Sequence, residues 1–398
     1  MGQQHHILST LEGFPVWPIA GALLLGVAGL AAVQRRGRQF PPRERKIVTF
    51  WKDVPLDQGR VLLRSLGGEV VRELPLINGV VCEFPRATVE FYRALAVLPQ
   101  VMDVEDDGLM HILCWWRRPA VPVAQTVPWG VERVGAPRAW PVSRGRGVRV
   151  AVIDTGVNAN HPDLKEAVRG GVNVIDPGAP PADDNGHGTH VAGIIGARDN
   201  QVGVVGVAPE AELYAVKAFD GHGSGAISNI ISGLQWCLDN GMRVVNMSFG
   251  GNKNRALGRA LQAALDAGLV LVAAAGNNGR PDSVDYPASH PGVIAVSALD
   301  AGDTLARYSS RGPEVDLAAP GSRILSTYGD GYRELSGTSM AAPHVSGVAA
   351  LVLSRWPGVT GDDVERRLKE SATPLPSLGR DEQGAGLVNA PAALGIQG

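Results

Sequence analysis

Several things are scarce in this chain. It has three cysteines in 398 residues, Cys82, Cys114 and Cys237. Thiols so few and so scattered make neither a disulfide framework nor a metal cluster. Cys237 lies in an apolar helical stretch and reads as core. Excess charge is absent too: 37 basic against 39 acidic side chains leave a net charge of −2. Nothing in that balance calls for a nucleic-acid partner. No lysine or arginine precedes the apolar run at residues 14–33, where only His5 and His6 stand. A secretory leader normally opens with basic residues. No internal repeat or low-complexity tract appears.

What is present begins with that run, just long enough to span a bilayer core. Arg35, Arg36 and Arg38 follow it. Read as a targeting segment, residues 1–39 are an export signal with a small-residue cleavage site around Gly29 and Ala31. Read by the positive-inside tendency, they are a retained anchor. Export is the preferred expectation, so the protein is secreted or held at the cell surface.

Residues 43–106 form a small unit of their own. Strand-like runs at 46–51, 69–74, 80–84 and 101–106 alternate with helical runs at 57–66 and 87–98. Gly67-Gly68 and Asn78-Gly79 punctuate them. The order βαββαβ is the ferredoxin-like pattern. Residues 114–122 carry two prolines and no periodicity, and read as an exposed linker. From Val148 onward strands and helices alternate, with strand-like runs at 149–153, 213–218, 244–247, 270–274, 293–297 and 324–326. The expected fold is α/β, with a mainly parallel sheet flanked by helices on both faces. Such folds gather functional groups at the carboxyl ends of their strands. Asp154 stands there, directly after Val150-Ala151-Val152-Ile153.

Three segments carry chemistry: Val152-Ile153-Asp154-Thr155-Gly156, the run from Asn185 through His187 and His190 to Gly193, and the run from Leu335 through Ser339 to Gly347. Ser339 falls at the start of a buried helix, where free N–H groups and the helix dipole favour negative charge. A serine hydroxyl needs a base such as histidine, and the imidazole needs an acid to hold its tautomer. Each residue alone has a plainer reading: Ser339 as a helix cap, Asp154 as a turn acid. His187 and His190, with Asp183 and Asp184, could also ligate a metal.

Together and in this order, the segments resemble the Asp, His and Ser boxes of the subtilisin family of serine proteases. The resemblance runs from about Ala124 to the C-terminus. It implies Ser339 as nucleophile, His187 as general base and then acid, and Asp154 as its orienting partner. His190 and His344 are then packed helix histidines. Asn277, in Ala273-Ala274-Ala275-Gly276-Asn277-Asn278-Gly279, matches the family's oxyanion-hole asparagine. Gly223-Ser224-Gly225 and Ser248-Phe249-Gly250 match the two edges that pair with an extended peptide. Ile227, Ile230 and Phe249 would line an apolar pocket or simply be core. Asp285, before Tyr286-Pro287, would lie at the bottom of the pocket for the side chain preceding the cut. There it would favour Lys or Arg, unless Arg280 neutralises it or the pocket stays broad. The loop at 198–206 would hold a structural calcium ion, with Gln125, Asp163, Asn200 and the carbonyls of Arg198, Val202 and Val204 as ligands.

The resemblance also gives the domain plan: residues 1–39 as signal or anchor, 40–113 as a pro-domain, 114–123 as a linker holding the maturation site, and 124–398 as the catalytic domain. The pro-domain would be the chain's own inhibitor, cut off by the enzyme itself. A monomer acting on polypeptides is expected. Two other readings stay open: a membrane-tethered processing protease of narrow specificity, and a non-hydrolytic binding protein on the same fold.

Overall fold

The computed structural model describes residues 44–85, 87–114, 116–120 and 124–397, with only the backbone of 116–120. The segment expected to be a signal or anchor, residues 1–39, lies outside them. No helix among the described residues is long and apolar enough to cross a membrane. Contacts divide the chain into two units, with the boundary between Asp106 and Asp107.

The smaller unit has strands β1 (Arg45–Phe50), β2 (Glu69–Leu74), β3 (Gly79–Glu83) and β4 (Val101–Asp106), with helices α1 (Leu56–Ser65) and α2 (Val89–Leu95). The sheet order is β2-β3-β1-β4, antiparallel throughout. This is the ferredoxin-like arrangement expected from the order of elements. Its own core is built on Val48, Phe50, Leu63, Val80, Phe91 and Leu95, all buried. Thr88 caps α2 by accepting from the Phe91 N–H, which removes one orphan donor at the helix start.

The larger unit opens with two short strands, β5 (Leu109–Ile112) and β6 (Trp116–Ala120). Two short helices, Trp129–Arg133 and Ala136–Ala139, precede β7 (Arg149–Asp154), β8 (Val168–Asn173), helix α3 (His187–Gly196), β9 (Glu212–Lys217), β10 (Ser224–Ala226) and α4 (Ile227–Asp239). Next are β11 (Val244–Met247), β12 (Phe249–Gly250), α5 (Arg255–Asp266), β13 (Val270–Ala274), β14 (Ile294–Leu299) and β15 (Leu317–Pro320). The chain finishes with β16 (Ile324–Tyr328), β17 (Gly331–Ser336), α6 (Thr338–Arg355), α7 (Gly361–Glu370) and two short turns of helix. The main sheet has seven strands in the order β15-β14-β13-β11-β7-β9-β8, and every pairing is parallel. Every residue of β11, β13, β14 and β15 is buried. That is the signature of a sheet covered on both faces, and it explains why these strands read as unbroken apolar runs.

Three departures from the sequence reading matter. Ile324 begins a strand, but β16 belongs to a separate antiparallel sheet with β17 and β6, not to the parallel one. Part of the expected linker is strand: β6 pairs with β17 from Trp116↔Ser336 to Ala120↔Tyr332. Finally, β5 lies between β10 and β12 in a three-stranded antiparallel sheet.

Candidate active site

Three elements deliver the three expected residues. Asp154 closes β7, His187 opens α3, and Ser339 is the second residue of α6. All three are buried. His187 Nδ1 lies 2.7 Å from Asp154 Oδ1 and 2.9 Å from Oδ2. Asp154 Oδ1 also accepts the Thr155 N–H at 2.8 Å. The carboxylate therefore fixes the imidazole tautomer, with the proton on Nδ1 and a lone pair on Nε2. His187 Nε2 is buried without a hydrogen-bond partner. Ser339 Oγ donates to the Ser248 carbonyl at 2.8 Å and accepts the Leu113 N–H at 3.1 Å.

Asp183 holds the loop that aims His187. Its two oxygens accept from Thr155 Oγ1, from the Asn185, Gly186 and Thr189 N–H groups, and from Thr189 Oγ1. Neither Asp183 nor Asp184 serves as the metal partner considered above. Asp184 pairs with Lys217 at 2.6 Å. His190 Nε2 faces the Ile324 and Arg333 carbonyls, both at 3.0 Å. Burial pushes the His190 pKa down to about 3 and that of His344 to about 4. These are neutral histidines packed in helices.

The start of α6 is prepared by Pro343. Proline has no N–H, so the carbonyl four residues earlier loses its helical partner. That carbonyl belongs to Ser339, and it accepts Ser248 Oγ at 2.9 Å. Asn277 is held from the same place: its Oδ1 accepts the Thr338 N–H and Oγ1–H, both at 3.0 Å. Its Nδ2 is left buried and without a partner. An unpaired buried donor is costly unless it has a task. Here it stands beside the start of the helix that carries Ser339.

Comparison with known proteins decides what this constellation belongs to. Residues 145–388 match the subtilase family. The chain belongs to the subtilase family.

Among its relatives, Subtilisin BL of Lederbergia lenta is 48% identical over 274 residues, 68% of this chain and 99% of the relative. The thermostable alkaline protease of Halalkalibacterium halodurans is 47% identical over 275 residues, 68% of this chain and 74% of the relative. Subtilisin E of Bacillus subtilis is 42% identical over 340 residues, 83% of this chain and 84% of the relative. This subtilase is a serine endopeptidase, and its substrates are polypeptides.

The groove residues frame an extended segment of the same unit. Ser224, Gly225 and Ala226 in β10 pair with His111, Met110 and Leu109. Phe249 and Gly250 in β12 pair with Ile112 and His111. The Gly223 carbonyl accepts the Ile112 N–H at 3.1 Å, and the Ser248 carbonyl accepts that of Leu113 at 3.4 Å. The chain thus lays residues 109–113 between both expected edges by main-chain pairing. Ile227, Ile230 and Phe249 are all buried. Phe249 stacks on Phe219 with ring centroids 4.7 Å apart.

Asp285 lies beside Gly250 of the β12 edge. A Cβ on Gly250 would be 2.8 Å from Asp285 Cβ and 2.9 Å from Leu113 Cδ1, so both side chains flank that glycine. Asn278 Nδ2 donates to Asp285 Oδ1 at 3.1 Å. Arg280 is exposed and makes no bond to it. Burial pushes the Asp285 pKa up to about 6, against the pull of Asn278.

The residues expected to hold calcium also gather. Asp163 Oδ2 accepts the Val204 N–H at 2.9 Å. Gln125 donates to the Arg198 carbonyl at 3.2 Å, and its Oε1 accepts the Gln201 N–H at 2.8 Å. Asn200 Nδ2 faces Asp163 Oδ1 at 3.4 Å, and its Oδ1 accepts the Val202 N–H. Burial raises the Asp163 pKa from its ordinary value, against the pull of the Val204 N–H. No cluster of three or more His, Cys, Asp or Glu fit for a metal occurs among the described residues. The oxygen set here has one carboxylate, with amide and carbonyl oxygens around it, which suits a hard cation.

Sequence reading missed Thr338, which locks the Asn277 amide, and the Asn246–Ser248 pair (2.8 Å) that bonds to the Ser339 carbonyl. A Thr or Asn in an apolar run carries no sign of such a task. The Ser339 box did place Thr338 next to the key residue.

Proposed function

We propose that Ser339 is the nucleophile of this endopeptidase, His187 its general base and then acid, and Asp154 the group that orients and supports the imidazole. Ser339 Oγ would attack the peptide carbonyl, and its proton would pass to His187 Nε2 and on to the leaving amine. The ester formed would then be opened by water. Asn277 Nδ2 and the Ser339 N–H would stabilise the oxyanion. One observation carries this reading. A buried Asp154–His187 pair leaves Nε2 unpaired at the start of α3, a helix that packs on α6, and α6 carries Ser339 beside the unpaired Asn277 amide. An ester substrate tests it. The wild-type protein should release a stoichiometric burst of product and Ser339→Ala none. An equal burst from both would refute the assignment and favour a binding protein on this fold.

The finer parts of the reading follow from it. The chain is made as a precursor: residues 40–113 act as a folding assistant and inhibitor, and the chain's own residues 109–113 fill the groove like a substrate. Gln125, Asp163, Asn200 and the Arg198, Val202 and Val204 carbonyls hold a calcium ion that clamps the loop after α3. Asp285 reads the side chain that precedes the cut. Residues 1–39 direct export, which suits a protease kept inhibited until it is processed.

A further inference from the structure

The chain passes Ser339 on both sides, and the two flanks differ in fate. On one side β5 leads to Leu113, whose N–H donates to Ser339 Oγ. A Cβ on Gly337 would collide with the Leu113 carbonyl oxygen, and it would stand 3.3 Å from Asn277 Nδ2. Leu113 therefore presents its carbonyl at Gly337, just before α6, on the side where the unpaired Asn277 amide also lies. On the other side, Trp116 pairs with Ser336, three residues before Ser339. Only Cys114 and residue 115 separate the two flanks. The expected catalytic domain starts at Ala124, so a cut at Leu113 leaves the ten residues 114–123 ahead of it on the mature side. Five of them, Trp116–Ala120, form the edge strand of the β16-β17-β6 sheet.

We propose that the first self-cleavage falls between Leu113 and Cys114, and that the freed strand β6 stays paired on β17, a tethered occupant of the leaving-group side of the groove until a second cut removes it. This rests on the reading of Ser339 as nucleophile. In the first step Ser339 Oγ bonds to the Leu113 carbonyl carbon, and the bond to the Cys114 nitrogen breaks. The serine proton passes through His187 to the departing Cys114 amine. Water then opens the ester, leaving a Leu113 carboxylate and restoring the hydroxyl. The departing amine does not diffuse away, because residues 114–123 remain joined to the catalytic unit. A tethered strand competes with outside substrate at high effective concentration. Its five main-chain pairs occupy the β17 edge that an incoming peptide would use beyond the cut bond.

The full-length chain tests this in a dilution series, with quenched samples read by intact mass and N-terminal sequencing. The first new N-terminus should be Cys114, appearing at a rate independent of protein concentration. Trimming towards Ala124 should follow, and should speed up with concentration. Two substrates then separate the roles. On an ester with a small leaving group, the species starting at Cys114 and the trimmed species should agree within about twofold. On a peptide extending several residues past the cut, the trimmed species should be at least about tenfold faster. A first N-terminus elsewhere, a Cys114 species never trimmed, or equal activity of both species on the long peptide overturns the proposal. No cut at all, with the small ester also inert, overturns it together with the nucleophile reading. Ester hydrolysis with a wrong first cut overturns this proposal alone.

Discussion

His187 Nδ1 sits within 2.9 Å of both oxygens of Asp154, and neither side chain is more than 1% exposed. A carboxylate so placed cannot turn away without losing the imidazole proton. The imidazole cannot flip without burying an unpaired N–H against a negative charge. The pair therefore sets the tautomer before any substrate arrives, and only Nε2 is left to accept a proton.

Asp154→Ala should lower kcat by roughly 3 × 10⁴, and Ser339→Ala or His187→Ala by about 10⁶; these are the values known for subtilisin itself, not magnitudes derived from this geometry. The double variant Ser339→Ala/His187→Ala should be no worse than either single one, because the residues act as a unit. Losses that multiply in the double variant would show that they act independently.

Asn277→Leu removes the donor proposed to meet the oxyanion. The expected loss in kcat is about 10²–10³ with KM nearly unchanged, again subtilisin's own figure. The same substitution removes the acceptor for two Thr338 bonds. A drop in melting temperature should therefore accompany it, corresponding to roughly 1–3 kcal/mol. Thr338→Val, which keeps the Asn277 donor and removes only one of the two bonds holding its side chain, should show a smaller loss in kcat. A large KM rise with kcat intact in Asn277→Leu would mark Asn277 as a binding residue.

Much of this was legible because the central strands are buried on both faces. Val244–Met247 and Val270–Ala274 read as apolar runs and end where the sequence puts them. Strand β8 carries Gly170-Gly171 and three exposed or half-exposed neighbours, so it gives no such signal. Strand β15 is four residues ending in proline. Strands β5 and β6 exist because β10, β12 and β17 offer open edges, which no local propensity encodes. At the site, the boxes pointed to Asp154, His187 and Ser339, and the resemblance around Tyr286-Pro287 pointed to Asp285. The rotamer of Ser339 and the lock on Asn277 depend on residues far apart in sequence, so only the folded chain displays them.

Calcium should stabilise the protein through the loop after α3. A site filled at a thousandfold excess over its dissociation constant adds about 4 kcal/mol. In the Ser339→Ala protein, where self-digestion is absent, a chelator should lower the melting temperature, and added calcium should restore it. Asp163→Asn should abolish the calcium response. A melting curve that ignores both chelator and calcium, with no metal found bound, would retire the site.

The last prediction concerns the side chain preceding the cut. Asp285 and Leu113 flank the same glycine, so the carboxyl faces whatever fills that pocket. Its sole hydrogen-bond donor among the described residues is the neutral Asn278, and no cation offsets its burial. Burial alone therefore raises its pKa to about 6. Below that pH the group is neutral and the pocket suits an apolar side chain such as that of Leu113. Above it the group is ionised, and a Lys or Arg side chain gains a partner that is partly out of water. A close pair of this kind couples by about 1.5 kcal/mol or more, which is roughly tenfold. The kcat/KM ratio for matched Arg and Leu peptides should therefore rise as pH passes upward through about 6 and then level off. Taking the ratio cancels any titration shared by both substrates. Because Arg favours the ionised form, the midpoint in its complex should fall below that of the free enzyme. Raising salt at pH 8 should shrink the ratio, since the half-buried pair is still partly screened. Asp285→Asn should flatten the pH profile of the ratio while leaving the Leu peptide within about twofold. If the ratio is flat in the wild-type protein, or Asp285→Asn changes both peptides alike, Asp285 does not read the substrate.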